Sequence, residues 1–267
     1  MKRFKMLVSD IDGTLLNSEN EISPKTKSAI DSLKEKGFLF TLCSGRAFPY
    51  VAPLAKFLKI DVPFIYSSGA IYDVGQSKIL FSRALDEESI YSIMQIGKDQ
   101  HVGLIAHTSL DMYCQVNDWD WEKIEAIEWL RGRKDIRAKR IDSIEQCMAE
   151  GIIRIDIFAE GKKLMDANHT LFEEHLPIHA VLMTRSVEIS QQSIEKGSAL
   201  EKLACHLDFT LDTIIAVGDS ANDAGLLDRA GIGAAMETAS RELKNHADVV
   251  IPSADKDGLA ELIFRYF

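Results

Sequence analysis

The feature that most constrains the fold is a series of short, continuous apolar segments separated by helical patterns. Apolar runs cover residues 4–9, 38–43 and 64–67, and Ser23 is a favourable N-cap for a helix over 24–36. Strands that are apolar throughout and alternate with helices are typical of parallel sheets that are covered on both faces. The pattern therefore predicts an α/β fold built on a parallel sheet.

The pattern changes after residue 82. A short hairpin is predicted over 71–82, and beyond it the strands alternate more and the loops are more polar. In the segment 152–158, three Ile residues alternate with Arg154 and Asp156, which predicts a sheet with one face in water. We interpret 83–186 as an inserted α+β cap domain, and 1–82 together with 187–267 as one discontinuous core. In the insertion, strands are expected at 102–106, 112–116, 152–158 and 180–184, and helices at 86–99, 119–130, 144–149 and 162–174.

Two carboxylates stand where the first apolar run ends. Asp10 and Asp12 are two residues apart, and side chains at i and i+2 of an extended segment point the same way. Gly13 then allows a sharp turn. Adjacent carboxylates raise each other's pKa unless a cation lies between them, which suits a divalent-cation site with one carboxylate as a nucleophile. The alternative is a polar exit from a strand, since Asp-Gly is common in turns.

Three further segments carry polar groups at the ends of strands or the starts of helices. They are Ser44-Gly45-Arg46, Lys196-Gly197 and Gly218-Asp219-Ser220-Ala221-Asn222-Asp223. Ligands of open parallel sheets bind beyond the carboxyl ends of the strands, so Asp10, Ser44 and Asp219 are expected to converge. Taken singly, each residue has another interpretation: an N-cap, a first-turn acid or a solvated lysine.

Together and in this order, the four segments resemble the motifs of the haloacid dehalogenase superfamily of phosphatases, most closely its Cof-type branch. The motifs span residues 10 to 223. The resemblance implies a Rossmann-like core with a large α/β cap inserted between the third strand and the motif that carries Lys196. It also implies a Mg²⁺-dependent phosphoric monoester hydrolase that forms an aspartyl-phosphate.

The resemblance and the chemistry of the side chains together assign roles. Asp10 attacks phosphorus, and Asp12 donates a proton to the leaving oxygen and then takes one from water. Asp10, Asp219 and the main-chain carbonyl of Asp12 are expected to bind Mg²⁺, with Asp223 holding a water of the ion. Lys196 offsets the negative charge that Asp10 and the phosphate bring together.

A second group of residues is expected to bind the phosphoryl oxygens. It comprises Ser44, the main-chain N–H groups of Ile11 and Gly45, Lys196, and Asn222, which braces Lys196 or the phosphate. Arg46 has two interpretations, a substrate contact or a surface ion pair. The histidines lack metal-ligand spacing, and His107, His169 and His179 are interpreted as ordinary cap residues. Trp119 and Trp121 have two interpretations, a substrate contact or a core position, and a core position is favoured for at least one of them.

Composition limits the partners. The net charge is −10, from 31 basic and 41 acidic residues, which argues against nucleic acid or an anionic membrane as the main partner. The four cysteines show no short paired spacing, so no zinc or redox site follows, and scattered thiols suit a reducing cytoplasm. No segment approaches the length of a membrane span. The sequence says nothing about the oligomeric state.

The substrate expected from these features is a small phosphorylated metabolite, with sugar phosphates the leading class and nucleotide or cofactor phosphates next. Two alternatives stay open. The first is a sugar phosphomutase or other phosphotransferase, because related enzymes share the core motifs. The second is a metabolite-binding regulator without turnover. The presence of a suitable residue at every position of the chemical core argues against it.

Overall fold

The strands form three sheets in the part of the chain that the computed structural model describes, residues 4–115, 138–183 and 185–267. In chain order the strands are β1 (Met6–Ser9), β2 (Leu39–Leu42), β3 (Phe64–Tyr66), β4 (Ala70–Asp73), β5 (Lys78–Phe81), β6 (Gly103–His107), β7 (Met112–Gln115), β8 (Lys139–Ile141), β9 (Arg154–Phe158), β10 (Ile178–Leu182), β11 (Ser186–Gln191), β12 (Ile214–Gly218), β13 (Ile232–Met236) and β14 (Val249–Ile251).

The α-helices connect these strands. In chain order they are α1 (Pro24–Glu35), α2 (Phe48–Phe57), α3 (Glu87–Asp99), α4 (Lys162–Glu173), α5 (Lys196–His206), α6 (Ala224–Arg229), α7 (Arg241–Lys244) and α8 (Gly258–Tyr266). Short 3₁₀ helices cover Ile144–Glu150, Leu211–Thr213, Ala221–Asp223 and Ala254–Lys256. None of the helices in the described residues is long and apolar enough to span a lipid bilayer.

The central sheet has five parallel strands in the order β14-β13-β12-β1-β2. β1 lies between β12 and β2, with Ser9 in register with Val217 on one side and Leu42 on the other. All four residues of β1 are buried, as continuous apolar strands in a covered sheet should be. The predicted α/β class with a parallel-sheet core is confirmed.

The first helix begins and ends where the sequence predicts. The Ser23 hydroxyl accepts a hydrogen bond from the backbone N–H of Thr26 at 3.0 Å, and Pro24 occupies the first turn, where it removes no helical hydrogen bond. Gly37 follows the helix with φ +83°, the left-handed conformation that ends many helices. Local side-chain chemistry therefore fixes both ends of this helix.

The third apolar strand joins a different sheet from the one expected. β3 pairs antiparallel with β4, and β4 with β5, so the predicted hairpin over 71–82 carries β3 as a third strand. A single parallel bridge between Cys43 and Ile65 links β3 to the end of β2. The tight turn after Tyr66 returns the chain onto β3, which leaves β3 only this bridge with the parallel sheet.

The chain divides into two compact units. The first comprises Met1–Arg46, Val51–Phe81 and Glu195–Phe267, and the second comprises Ala47–Tyr50 and Ser82–Ile194. The second unit extends past the predicted boundary at 186/187, because β11 pairs with β9 and β10 and lies in that unit. In β11, Val187 and Ile189 are fully buried and alternate with polar residues, unlike the continuously apolar strands β1 and β12.

The second unit contains a six-stranded sheet in the order β10-β11-β9-β6-β7-β8, antiparallel except between β7 and β8. Its strands match the sequence expectations within a few residues, with two additions, β8 and β11. The segment expected as a helix over 144–149 is a 3₁₀ helix. The helix expected over 119–130, with Trp119 and Trp121, lies outside the described residues.

The expectation of a wet face on β9 is wrong. Arg154 and Asp156 are 4% and 0% exposed. The Asp156 carboxylate accepts two hydrogen bonds from the Arg154 guanidinium, at 2.5 and 2.8 Å, and lies 2.9 Å from His107 Nε2. Arg154 also lies 2.9 Å from Glu188 on β11. Charged residues can be buried when they are paired and hydrogen-bonded, and period-two alternation does not reveal such pairing.

Candidate active site

The site forms within the first unit, at the carboxyl ends of three neighbouring strands. The backbone N–H of Asp10 donates to Val217 O at 2.9 Å, and that of Cys43 donates to Ser9 O at 2.9 Å. These bonds continue the ladders of β1 with β12 and β2 beyond the strands themselves. They bring Asp10, Ser44 and Asp219 to one edge of the sheet, where ligands of such folds bind.

Lys196 is the positive centre of this edge. It begins α5, it is 1% exposed, and its Nζ lies 2.7 Å from Asp10 Oδ1 and 2.6 Å from Asp223 Oδ1. Glu195 and Ser198 form a capping box that fixes the start of the helix. A lysine is rarely this buried unless it is paired, and two carboxylates supply that pairing here.

Three carboxylates surround the lysine. Asp10, Asp219 and Asp223 each offer one oxygen atom, and these atoms lie within 4.8 Å of one another. Asp223 is completely buried, and its Oδ2 accepts hydrogen bonds from the backbone N–H groups of Asp219 at 3.1 Å and Ser220 at 3.0 Å. The turn after β12 therefore holds Asp223 firmly through its own backbone.

The electrostatics of the cluster are those of crowded acids. Burial raises the pKa of Asp10 well above its usual value, and Asp223 and Asp219 add to that effect against the opposing charge of Lys196. Burial and then Asp223 raise the pKa of Asp219 to about 7. Burial alone would lower the pKa of Lys196, but the charges of Asp10 and Asp223 raise it well above its usual value. One lysine therefore does not neutralise the three acids.

The donor set fits a hard divalent cation. Oxygen ligands from carboxylates are those that Mg²⁺ prefers. Asp10 Oδ1 is bound to Lys196, which leaves Oδ2 as the oxygen available for an ion, and Asp219 contributes a second carboxylate. Asp223 uses Oδ1 for Lys196 and Oδ2 for the backbone, which suits an indirect role through water.

Gly13 and Thr14 shape the turn that faces Asp219. Gly13 has φ +71°, and a Cβ at this position would collide with the Asp219 carboxylate. Thr14 is 1% exposed, and its hydroxyl lies 3.5 Å from Asp219 Oδ1. Sequence reasoning gave Thr14 no role, although its position directly after Asp12 and Gly13 was the signal that could have identified it.

Asp12 forms an ion pair with Arg46. Arg46 Nε donates to Asp12 Oδ2 at 2.8 Å, and the terminal NH2 group donates to Oδ1 at 2.5 Å. The Asp12 side chain is 50% exposed and that of Arg46 is 12% exposed. The charge of Asp12 also raises the pKa values of Asp10 and Asp219, so Asp12 lies within electrostatic reach of the carboxylate cluster.

The residues expected to bind phosphate are placed as follows. Ser44 is buried, and its hydroxyl oxygen accepts a hydrogen bond from the backbone N–H of Arg46 at 3.1 Å. Ile11 is buried directly after Asp10, and Gly45 is half-buried after Ser44. Asn222 Oδ1 accepts a hydrogen bond from the Ser220 hydroxyl at 2.9 Å, so its amide oxygen has a partner within its own turn.

Comparison with known proteins places this site in context. A family model described as haloacid dehalogenase-like hydrolase matches residues 7–263. The 5-amino-6-(5-phospho-D-ribitylamino)uracil phosphatase YwtE of Bacillus subtilis is 32% identical, over 97% of this chain and 96% of its own. Phosphatase YwpJ of the same organism is 26% identical, over 97% of this chain and 98% of its own. A crystal structure of a haloacid dehalogenase-like hydrolase from Bacteroides thetaiotaomicron superposes with a TM-score of 0.86 at 24% identity, covering 99% of this chain and all of the other.

Proposed function

The chain belongs to the haloacid dehalogenase-like hydrolases and is an enzyme of their phosphatase type, and on this premise we propose that it hydrolyses small phosphorylated metabolites with Mg²⁺ through an aspartyl-phosphate on Asp10. The observation that carries the proposal is the contact of Lys196 Nζ with both Asp10 and Asp223, beside the third carboxylate of Asp219. A structural ion pair needs one acid, and this cluster has three.

Asp10 is the nucleophile. An oxygen of its carboxylate forms a bond to phosphorus while the bond from phosphorus to the leaving oxygen breaks, and the electron pair of that bond stays on the leaving oxygen. Lys196 holds Asp10 Oδ1 at 2.7 Å, which fixes the carboxylate in one orientation and leaves Oδ2 free of that contact. The lysine also reduces the repulsion between the carboxylate and an incoming phosphate dianion.

Asp12 is the general acid and then the general base. It gives its proton to the leaving oxygen, and in the second half of the reaction it takes a proton from the water that attacks phosphorus. The bond from phosphorus to the Asp10 oxygen then breaks, its electron pair returns to the carboxylate, and phosphate is released. Such a group needs access to both substrate and water. The side chain of Asp12 is half exposed, whereas that of Asp10 is buried, and this contrast supports the two different assignments.

The metal-binding role falls to Asp10, Asp219 and the main-chain carbonyl of Asp12, with Asp223 acting through water. A divalent cation bound there supplies positive charge to the phosphoryl oxygens. Ser44 and the N–H groups of Ile11 and Gly45 bind the same oxygens from the protein side, and Asn222 braces them. Of these groups, Ser44 is anchored by its bond from Arg46 N, which leaves its hydroxyl proton to donate.

The name of one relative supports a class of substrate for this protein. YwtE is named for a substrate with its phosphate on a ribityl chain. We place this chain's substrate among phosphorylated sugars and related polyol phosphates, and we assign its selection to the second unit. All four cysteines are free thiols, which supports a reducing cytoplasmic location.

A screen of phosphate monoesters tests the proposed function. Purified protein is incubated with sugar phosphates, polyol phosphates, nucleotides and p-nitrophenyl phosphate, with Mg²⁺ and with EDTA, and free phosphate is measured. We expect Mg²⁺-dependent release of phosphate, highest with the sugar or polyol esters. An isomeric phosphate ester in place of free phosphate would instead identify a phosphomutase, and no turnover of any ester would leave a binding protein.

A further inference from the structure

The pair between Asp12 and Arg46 joins an exposed partner to an anchored one. The Arg46 side chain is 12% exposed, its backbone N–H donates to Ser44 Oγ at 3.1 Å, and its carbonyl accepts from Ser67 N at 2.8 Å. Asp12, in contrast, is half exposed and precedes the Gly13 turn. The guanidinium of Arg46 is therefore the more buried member of the pair, and the carboxyl group of Asp12 is the more exposed one.

The geometry of the pair is directional. Both oxygens of Asp12 accept from different nitrogens of one guanidinium, at 2.8 and 2.5 Å. This bidentate arrangement fixes the plane of the carboxyl group as well as its position, which a lysine at the same place could not do. An exposed ion pair contributes only about 0–1 kcal/mol to the free energy of folding, so a gain in stability does not account for this pair.

We propose that Arg46 is the positioning residue for Asp12 and that it holds this carboxyl group where the leaving oxygen departs. The inference rests on the proposed function, since it assumes that Asp12 protonates that oxygen. The role is distinct from binding the substrate, because Arg46 acts through Asp12. The proposal differs from both sequence interpretations of Arg46, which were a substrate contact and a surface ion pair.

The consequence concerns leaving groups. When the bond from phosphorus to the leaving oxygen breaks, the electron pair stays on that oxygen, and the proton of Asp12 neutralises it. A p-nitrophenolate ion is stable without the proton, whereas a more basic phenolate or alkoxide is not. Misplacing Asp12 should therefore slow esters with basic leaving groups far more than p-nitrophenyl phosphate.

The test compares kcat/KM for a series of aryl phosphates, from p-nitrophenyl to p-methoxyphenyl, because this constant reports the step that expels the leaving group. General acid catalysis contributes about 10²–10⁴-fold, so we expect Arg46→Gln to lower kcat/KM about tenfold or more for p-methoxyphenyl phosphate and less than about threefold for p-nitrophenyl phosphate. Arg46→Lys keeps the charge without the bidentate geometry and should recover only part of the loss. Arg265→Gln, at an exposed arginine of α8, is the matched control and should leave the series unchanged.

A double-mutant cycle identifies the route of the effect. If Arg46 acts through Asp12, Arg46→Gln in an Asp12→Asn background should cost less than about twofold, because the group it positions has lost its proton. Equal losses across all esters, or additive losses in the double variant, would overturn the proposal. Failure of the proposed function is recognised separately, since Asp10→Asn would then retain Mg²⁺-dependent turnover whatever the Arg46 variants do.

Discussion

Lys196 Nζ and Asp10 Oδ1 lie 2.7 Å apart in the folded protein, although 186 positions separate the two residues in the chain. The whole second unit lies between them in sequence. The contact exists because β12 returns beside β1 and because α5 begins with the lysine, so the parallel sheet itself assembles the charged cluster.

Replacing Lys196 tests whether the lysine is needed both for folding and for turnover. Lys196→Met leaves Asp10 and Asp223 buried without their cation, and breaking a buried pair of this kind costs about 3–5 kcal/mol. We expect a lower melting temperature and loss of phosphatase activity. Lys202→Met, at an exposed lysine of the same helix, is the control and should change neither by much. An active, fully stable Lys196→Met enzyme would refute the role of Lys196.

Binding of Mg²⁺ to the purified protein tests whether the carboxylate cluster is a metal site. Mg²⁺ should raise the melting temperature of the wild-type protein, since a ligand that binds only the folded state stabilises it. Binding requires the Asp219 carboxylate to lose its proton, and its pKa is raised to about 7, so the apparent affinity for Mg²⁺ should increase as the pH rises from 6 to 8.

The matched variants for the metal experiment are Asp219→Asn and Asp212→Asn. Asp219→Asn should abolish most of the thermal shift, and Asp212→Asn, at an exposed acid just before β12, should retain it. Titration calorimetry at pH 6 and pH 8 measures the affinities directly. An unchanged shift in the Asp219 variant would place the metal elsewhere.

Alanine substitutions at two glycines with positive φ distinguish the cost of backbone strain from the cost of a steric collision with Asp219. Gly13 and Gly37 have φ +71° and +83°, but a Cβ at Gly37 meets nothing within 4 Å, whereas one at Gly13 would collide with the Asp219 carboxylate. Gly37→Ala should cost about 1 kcal/mol in the free energy of unfolding, the usual penalty for this conformation. Gly13→Ala should cost more and should also reduce activity and Mg²⁺ affinity, measured by urea unfolding, turnover and calorimetry. Equal effects of the two substitutions would mean that the turn does not need to approach Asp219 closely.

The buried ion pair of the second unit predicts a dependence of stability on pH. Burial alone would raise the pKa of Asp156, but Arg154 and His107 lower it to about 2, below the value of about 4 in an unfolded chain. The stabilisation that this acid provides is therefore complete above pH 4 and is lost as the pH falls toward 2. Asp156→Asn should destabilise the protein by about 3 kcal/mol at pH 7. Urea unfolding at pH 7 and pH 3 should show the difference between wild type and variant shrinking at the lower pH, and a constant difference would contradict the assignment.

The sequence predicted the parallel sheet and the convergence at its edge because both depend on local patterns: apolar strands that end in Asp10, Ser44 and Asp219. It failed where the outcome depends on long-range pairing. β11 joins β9 and β10 only through their register, and Arg154 and Asp156 are buried only because they bind each other and His107. The pairing of Arg46 with Asp12 likewise joins two residues that lie 34 positions apart in the chain. Such relationships have no signature in a single stretch of sequence.

The substitution Asp10→Asn tests the central claim most directly. Asparagine keeps the size of the side chain and removes the carboxylate oxygen that attacks phosphorus, so the variant cannot form the aspartyl-phosphate. Turnover of p-nitrophenyl phosphate with Mg²⁺ is measured for wild type and variant, with circular dichroism to show that both are folded. We predict a loss of at least about 10³-fold in kcat for a folded variant, as expected when a covalent nucleophile is removed. Near wild-type, Mg²⁺-dependent turnover by Asp10→Asn would contradict the account.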